Sequence, residues 1–152
     1  MPAFHFRLQT LLNIKKQLEK SAKNELGIAI QKYEQQKQIL IQIQNEITHQ
    51  QEEYRKEGST GVTLAKLRQR MEYIRAMHER ELNQQVRVNE ELKNVDKIRE
   101  KLIEIMKEKK VLEKLREKEL DLYRKEQEKA GQQLVDELVS YKESTKPVDD
   151  KS

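Results

Sequence analysis

The chain has no cysteine and no tryptophan. Disulfide staples and thiolate metal sites are therefore excluded, and the composition fits a reducing compartment. Its two prolines, Pro2 and Pro147, stand at the ends, so nothing between them forces a helix to break. Only four glycines and 5% aromatics are present, which leaves little material for the loops and mixed packing of an enzyme fold. Long apolar runs are also missing. A run such as Ile39-Leu40-Ile41 falls far short of the roughly 20 residues that span a bilayer. The opening MPAFHFRLQTLL has no continuous apolar stretch of the kind a secretory signal needs. A soluble, cytoplasmic protein is expected.

What remains is rich in Glu, Lys, Gln, Leu, Ile and Arg, mostly good helix formers. Charged residues make up 38% and the apolar set 35% of the 152 residues, against roughly 25% and 45–50% in an average globular domain. A round core is out of reach. Mean hydropathy of −1.02 is also compatible with disorder, but disordered chains lack regularly spaced apolar residues and usually carry a large net charge. Here the net charge is only +4, so periodicity decides.

In the first segment Phe4, Leu8, Leu11, Lys15, Leu18 and Ala22 are followed by Leu26, Ala29, Tyr33, Gln36, Leu40, Ile43, Ile47, Gln50 and Tyr54. Steps of four and three alternate, with one extra four-residue step from Ala22 to Leu26. This is a heptad seam with a stutter. The second segment carries Leu64, Leu67, Met71, Ile74, Leu82, Val88, Leu92, Val95, Ile98, Leu102, Ile105, Leu112, Leu115, Leu120, Tyr123, Ala130, Leu134, Leu138 and Tyr141. Its spacing is again near 3.5, with slips near Val95 and Leu115.

Between the segments, Gly58-Ser59-Thr60-Gly61 marks a tight connection, and Thr63 is a natural N-cap. The expected fold is all-α: two long helices in an antiparallel coiled-coil hairpin with a longer, overhanging second helix. Residues 1–57 form the first helix, 58–63 the turn, 64–143 the second helix and 144–152 a disordered tail. With Tyr54 near Leu64, the register would set Phe4 beside Lys114 and Leu115. The stripe from Leu120 to Tyr141 would then have no partner within the monomer, and contiguous exposed apolar surface marks an interaction site.

Catalysis and metal binding find no support. His5, His49 and His78 neither pair at ligand spacing nor sit beside a nucleophile, and read as solvated or seam-edge residues. Acidic pairs such as Glu52-Glu53 and Glu90-Glu91 lie on a thin rod that cannot enclose a substrate. GSTG is not a phosphate loop. No enzyme, cofactor, metal site or small-molecule substrate is expected.

On charge, no nucleic-acid partner is expected. Arg7, Lys15, Lys16, Lys20 and Lys23 against Glu19 account for the whole net charge, leaving the rest balanced. No basic stripe tracks the rod. The basic amino end, with Phe4, Phe6, Leu8, Leu11, Leu12 and Leu18, reads first as seam, with a membrane-surface helix or an acidic protein partner as alternatives. Near the turn, Tyr54 and Tyr73 with Ile43, Ile47, Ile74 and Met77 form an end suited to a partner.

The opening Phe4-His5-Phe6-Arg7-Leu8-Gln9-Thr10-Leu11-Leu12-Asn13-Ile14-Lys15, then Glu25-Leu26, the Tyr33 to Tyr54 heptads, the short turn, the Tyr73 region, and Glu126-Gln127 and Asp136-Glu137 together resemble the flagellar FliJ family over nearly the whole chain. That resemblance implies a soluble component of the bacterial flagellar type III export apparatus, at the cytoplasmic face of the membrane at the flagellar base. Family members are two-helix coiled coils similar to the central stalk of rotary ATPases. They insert their helix termini into the hexameric export ATPase and promote its assembly, contact the transmembrane export gate, and escort export chaperones. Carried over by position, the resemblance assigns Phe4, Leu8, Leu11, Leu12, Leu120, Tyr123, Ala130, Leu134 and Leu138 to the ATPase, and Ile43, Ile47, Tyr54, Tyr73 and Met77 to the gate. A stalk of a non-flagellar type III system and a generic coiled-coil scaffold are the alternatives.

Overall fold

A computed structural model describes residues 3–145. It contains two α-helices, α1 (Gln9–Thr60) and α2 (Leu64–Thr145), and no strand among the described residues. The fold is the expected antiparallel two-helix hairpin with the longer helix second. The expected disordered tail falls mostly on residues 146–152, outside the described residues; Ser144 and Thr145 belong to α2.

The reversal is tighter than the composition suggests. α1 continues through Gly58, Ser59 and Thr60, whose two hydroxyls donate to the carbonyls of Lys56 (2.8 Å) and Glu57 (3.2 Å). Gly61 then takes φ +79°, and Val62 N–H donates back to the Glu57 carbonyl at 3.3 Å. This is the six-to-one bond of a Schellman cap, which needs a left-handed residue after the helix and therefore favours glycine. The Thr63 carbonyl accepts from the N–H groups of Lys66 and Leu67 at 3.1 and 3.2 Å, starting α2 at the expected residue.

The seams are more regular than the apolar residues indicate. On α1 the side chains turned away from solvent run Leu8, Leu12, Lys15, Glu19, Ala22, Leu26, Ala29, Tyr33, Gln36, Leu40, Ile43, Ile47, Gln50, Tyr54 and Glu57. Steps of four and three alternate without a stutter. Leu11 and Leu18, expected in the seam, are exposed, and their neighbours Leu12 and Glu19 are buried instead. An unbroken 3.5-residue repeat keeps one face against the partner helix, and that continuity outweighs the cost of seating Glu19. Glu19 pairs with Lys23 at 3.0 Å one turn on.

On α2 the same alternation runs through Leu67, Arg70, Ile74, Met77, Glu81, Gln84, Val88, Glu91, Val95, Ile98, Leu102, Ile105, Lys109, Leu112, Arg116, Glu119 and Tyr123. The slips expected near Val95 and Leu115 do not occur. Leu64, Met71, Leu82 and Leu92 lie outside the seam and are exposed, because polar residues occupy the positions that continue the repeat.

The chain divides into two compact units. In the first, residues 1–17 with 106–152, Phe6, Leu12 and Leu112 form a buried cluster flanked by Phe4, Leu8 and Leu115. Leu12 is the most enclosed large side chain described, 1% exposed. In the second, residues 18–105, Ala22, Leu102 and Ile105 pack with Leu26, while Ile43, Ile47 and Met77 form a separate cluster. Both are thin cores, as expected where only two helices cover each other.

Candidate partner-docking surfaces

In the first unit the helices are locked in register by polar side chains around the Phe6–Leu12–Leu112 cluster. Arg7 Nε donates to Glu119 at 3.2 Å, Arg116 Nε to Gln9 Oε1 at 3.1 Å, and Lys15 pairs with Glu108. The Phe4 ring meets Tyr123 at a centroid separation of 5.5 Å, tilted by 52°, and the Arg116 guanidinium lies 5.6 Å from the same ring. Tilted aromatic pairing and cation–π contact are both favourable at these distances.

Phe4 thus sits beside Tyr123, not beside Lys114 and Leu115 as the expected register had it. Residues 3–6 precede α1 in non-helical backbone, which rises more per residue than a helix and carries Phe4 further along α2. Leu120 and Tyr123, expected as the start of the uncovered stripe, are accordingly half-buried.

The uncovered part of α2 begins after Tyr123. Ala130 is exposed, and Leu134, Val135, Leu138, Val139 and Tyr141 range from 50% exposed for Val139 to 68% for Tyr141. Leu134, Leu138 and Tyr141 form a stripe offset by one residue from the repeat that ends at Tyr123, and Val135 and Val139, one position further round, widen it into a broad apolar face. Those two valines escape a search for a/d spacing alone. The signal for them is the repeated pairing of adjacent apolar residues in LVDELV.

The residues assigned by resemblance to the ATPase therefore divide. Phe4, Leu8, Leu12, Leu120 and Tyr123 are buried or half-buried around the two-helix core, whereas Leu11, Ala130, Leu134 and Leu138 are exposed.

The second unit holds the residues assigned to the gate. Ile43, Ile47 and Met77 are buried against one another, at most 6% exposed. Tyr54 is half-buried, with its hydroxyl 4.0 Å from the Met71 sulfur, and Tyr73 is 46% exposed. Tyr73 lines an open groove of about 470 Å³ with Gln50, Glu57, Lys66, Gln69 and Arg70.

Arg70 dominates that groove. Its Nε donates to Glu57 Oε2 at 2.8 Å, its second guanidinium nitrogen to the other Glu57 oxygen, and its third to Gln50 Oε1. This fork-to-fork geometry is the strong form of an ion pair. The hydrogen bond from Arg70 holds the Glu57 carboxyl below its usual range, against the opposing effect of desolvation, and the same bond raises Arg70. Hydrophobicity does not mark Arg70 as a seam residue, since Met71 beside it is the more apolar.

His5, His49 and His78 are exposed. No group of three or more metal-capable side chains occurs among the described residues, and no helix described is long and apolar enough to cross a membrane.

No match was found among curated proteins or solved structures. The family model described as flagellar FliJ protein matches residues 4–146. That span takes in both helices, the Schellman turn, the Phe4–Tyr123 contact and the uncovered arm of α2, and the chain belongs to the flagellar FliJ family, whose members are components of the flagellar protein export apparatus.

Proposed function

We propose that this protein is a non-catalytic stalk of the flagellar export apparatus. It docks the arm of α2 beyond Tyr123 into the hexameric export ATPase and promotes assembly of that hexamer. The observation that carries this reading is the face made by Leu134, Val135, Leu138, Val139 and Tyr141, all at least half exposed on a helix that has run out of partner. Phe4 packs on Tyr123, before that face begins.

In the second unit, the groove beside Tyr73 and the half-buried Tyr54 face the transmembrane export gate. With Ile43, Ile47 and Met77 consumed by the core, those three shape this surface from beneath and the tyrosines make the contact. Escort of export chaperones and residence at the cytoplasmic face of the membrane belong to the same reading. It requires no cofactor, metal, nucleic acid or small-molecule substrate.

A pull-down of the export ATPase by the purified chain tests it. Removal of the residues after Leu120, or the paired substitution Leu134→Asp with Leu138→Asp, is expected to weaken capture at least tenfold. Full retention by both variants would reject the docking role of the arm.

A further inference from the structure

We propose that the carboxyl-terminal arm of α2 pairs with the same arm of a second copy, antiparallel, in a register that lays Tyr141 of each copy over Gly131 of the other.

The argument starts from Gly131. A glycine inside a helix is destabilising relative to alanine, and within this chain nothing requires one here. A Cβ built at Gly131 meets no atom within 4 Å, and the residue has an ordinary helical backbone with no positive φ. Gly27 has the same open surroundings; what sets Gly131 apart is its place in the uncovered stripe of α2, three residues before Leu134.

The heptad supplies the register. Gly131, Leu134, Leu138 and Tyr141 keep an alternation of three and four among themselves, offset by one residue from the seam that ends at Tyr123, and in an antiparallel pair each a position faces a d position of the partner. Leu134 then faces Leu138, and Gly131 faces Tyr141, the largest residue of the stripe against the smallest. The flanking positions agree: Val135 meets Val135 at the centre, and Glu128 meets Lys142 on either side. One pair is unfavourable, because Glu137 faces its own copy. A parallel pairing would set glycine against glycine and leave a gap beside two crowded tyrosine rings.

The area is modest. The five large exposed residues of two arms would bury on the order of 1,000 Å², at the lower limit for a specific interface. The pairing is therefore reversible and weak. It uses the face assigned above to the ATPase, so the two associations exclude each other and self-pairing keeps the apolar arm covered until the ATPase displaces it. That consequence rests on the proposed function; the self-pairing does not, and its test uses the purified chain alone.

Sedimentation equilibrium over micromolar to submillimolar concentrations is expected to show the mass rising from 18.2 kDa towards twice that value. Gly131→Leu makes the arm more apolar and more helical, so unspecific clustering would tighten, whereas the proposed register predicts at least tenfold weaker pairing. Glu137→Gln is expected to strengthen it several-fold. Because the chain has no cysteine, Val135→Cys gives a single thiol that forms a disulfide-linked dimer on mild oxidation only when the central positions face each other. A mass of 18.2 kDa at every concentration, tighter pairing by Gly131→Leu, or no disulfide at position 135 would each overturn the proposal.

Discussion

Gln84, 7% exposed on α2, donates its side-chain amide to both the backbone carbonyl of Gln36 (2.9 Å) and the Gln36 side-chain oxygen (2.8 Å) on α1. Two glutamines thus replace an apolar pair in the middle of a thin seam. A polar residue at such a position fixes register at some cost in stability, and the doubly made bond satisfies the buried amide that would otherwise be penalised.

Removing only one partner should therefore be worse than removing both. Gln84→Ala is expected to cost about 1–2 kcal/mol, while the double change Gln36→Leu with Gln84→Leu should restore or exceed the original stability. Urea unfolding followed by helical circular dichroism measures both. Equal loss in the single and double variants would remove the register role.

The Glu57–Arg70 fork gives a pH dependence. Glu57 has its folded-state pKa lowered, so its contribution is present above the ordinary glutamate value and is lost as pH falls through the lowered one, with Arg70 charged throughout. The melting temperature of the hairpin should fall on acidification across the carboxylate range, and part of that fall should be absent from Glu57→Gln. An identical pH profile in the variant would contradict the assignment.

Two glycines three residues apart should respond in opposite directions. Gly61 holds the left-handed position of the cap, so Gly61→Ala should cost about 1 kcal/mol. Gly58 lies within the last turn of α1 with open space around a built Cβ, so Gly58→Ala should add about 0.5–1 kcal/mol. Thermal melts of the two variants side by side check the sign of each.

Leu12→Ala removes the most enclosed large side chain described, in the cluster with Phe6 and Leu112. A loss of about 2–4 kcal/mol is expected. Leu11→Ala, one residue earlier and 41% exposed, should change stability by less than about 1 kcal/mol. Comparable losses at the two positions would place the seam wrongly.

That last pair shows how far the residues alone reach. Glu-, Lys-, Gln- and Leu-rich helices free of internal proline, a reversal near Gly61, a longer second helix and the likeness to the FliJ family were all legible without coordinates. Local propensity, turn chemistry and overall spacing determine them. Which of two adjacent residues enters the seam was not legible. Leu11 and Leu12, or Leu18 and Glu19, stand about 100° apart on one helix, and hydrophobicity favours the wrong member of the second pair. Only the facing helix chooses between them, because its knobs must find holes along an unbroken repeat. In meeting that demand the hairpin seats Glu19, Arg70 and Gln84 and turns Leu18, Met71 and Leu82 out to solvent.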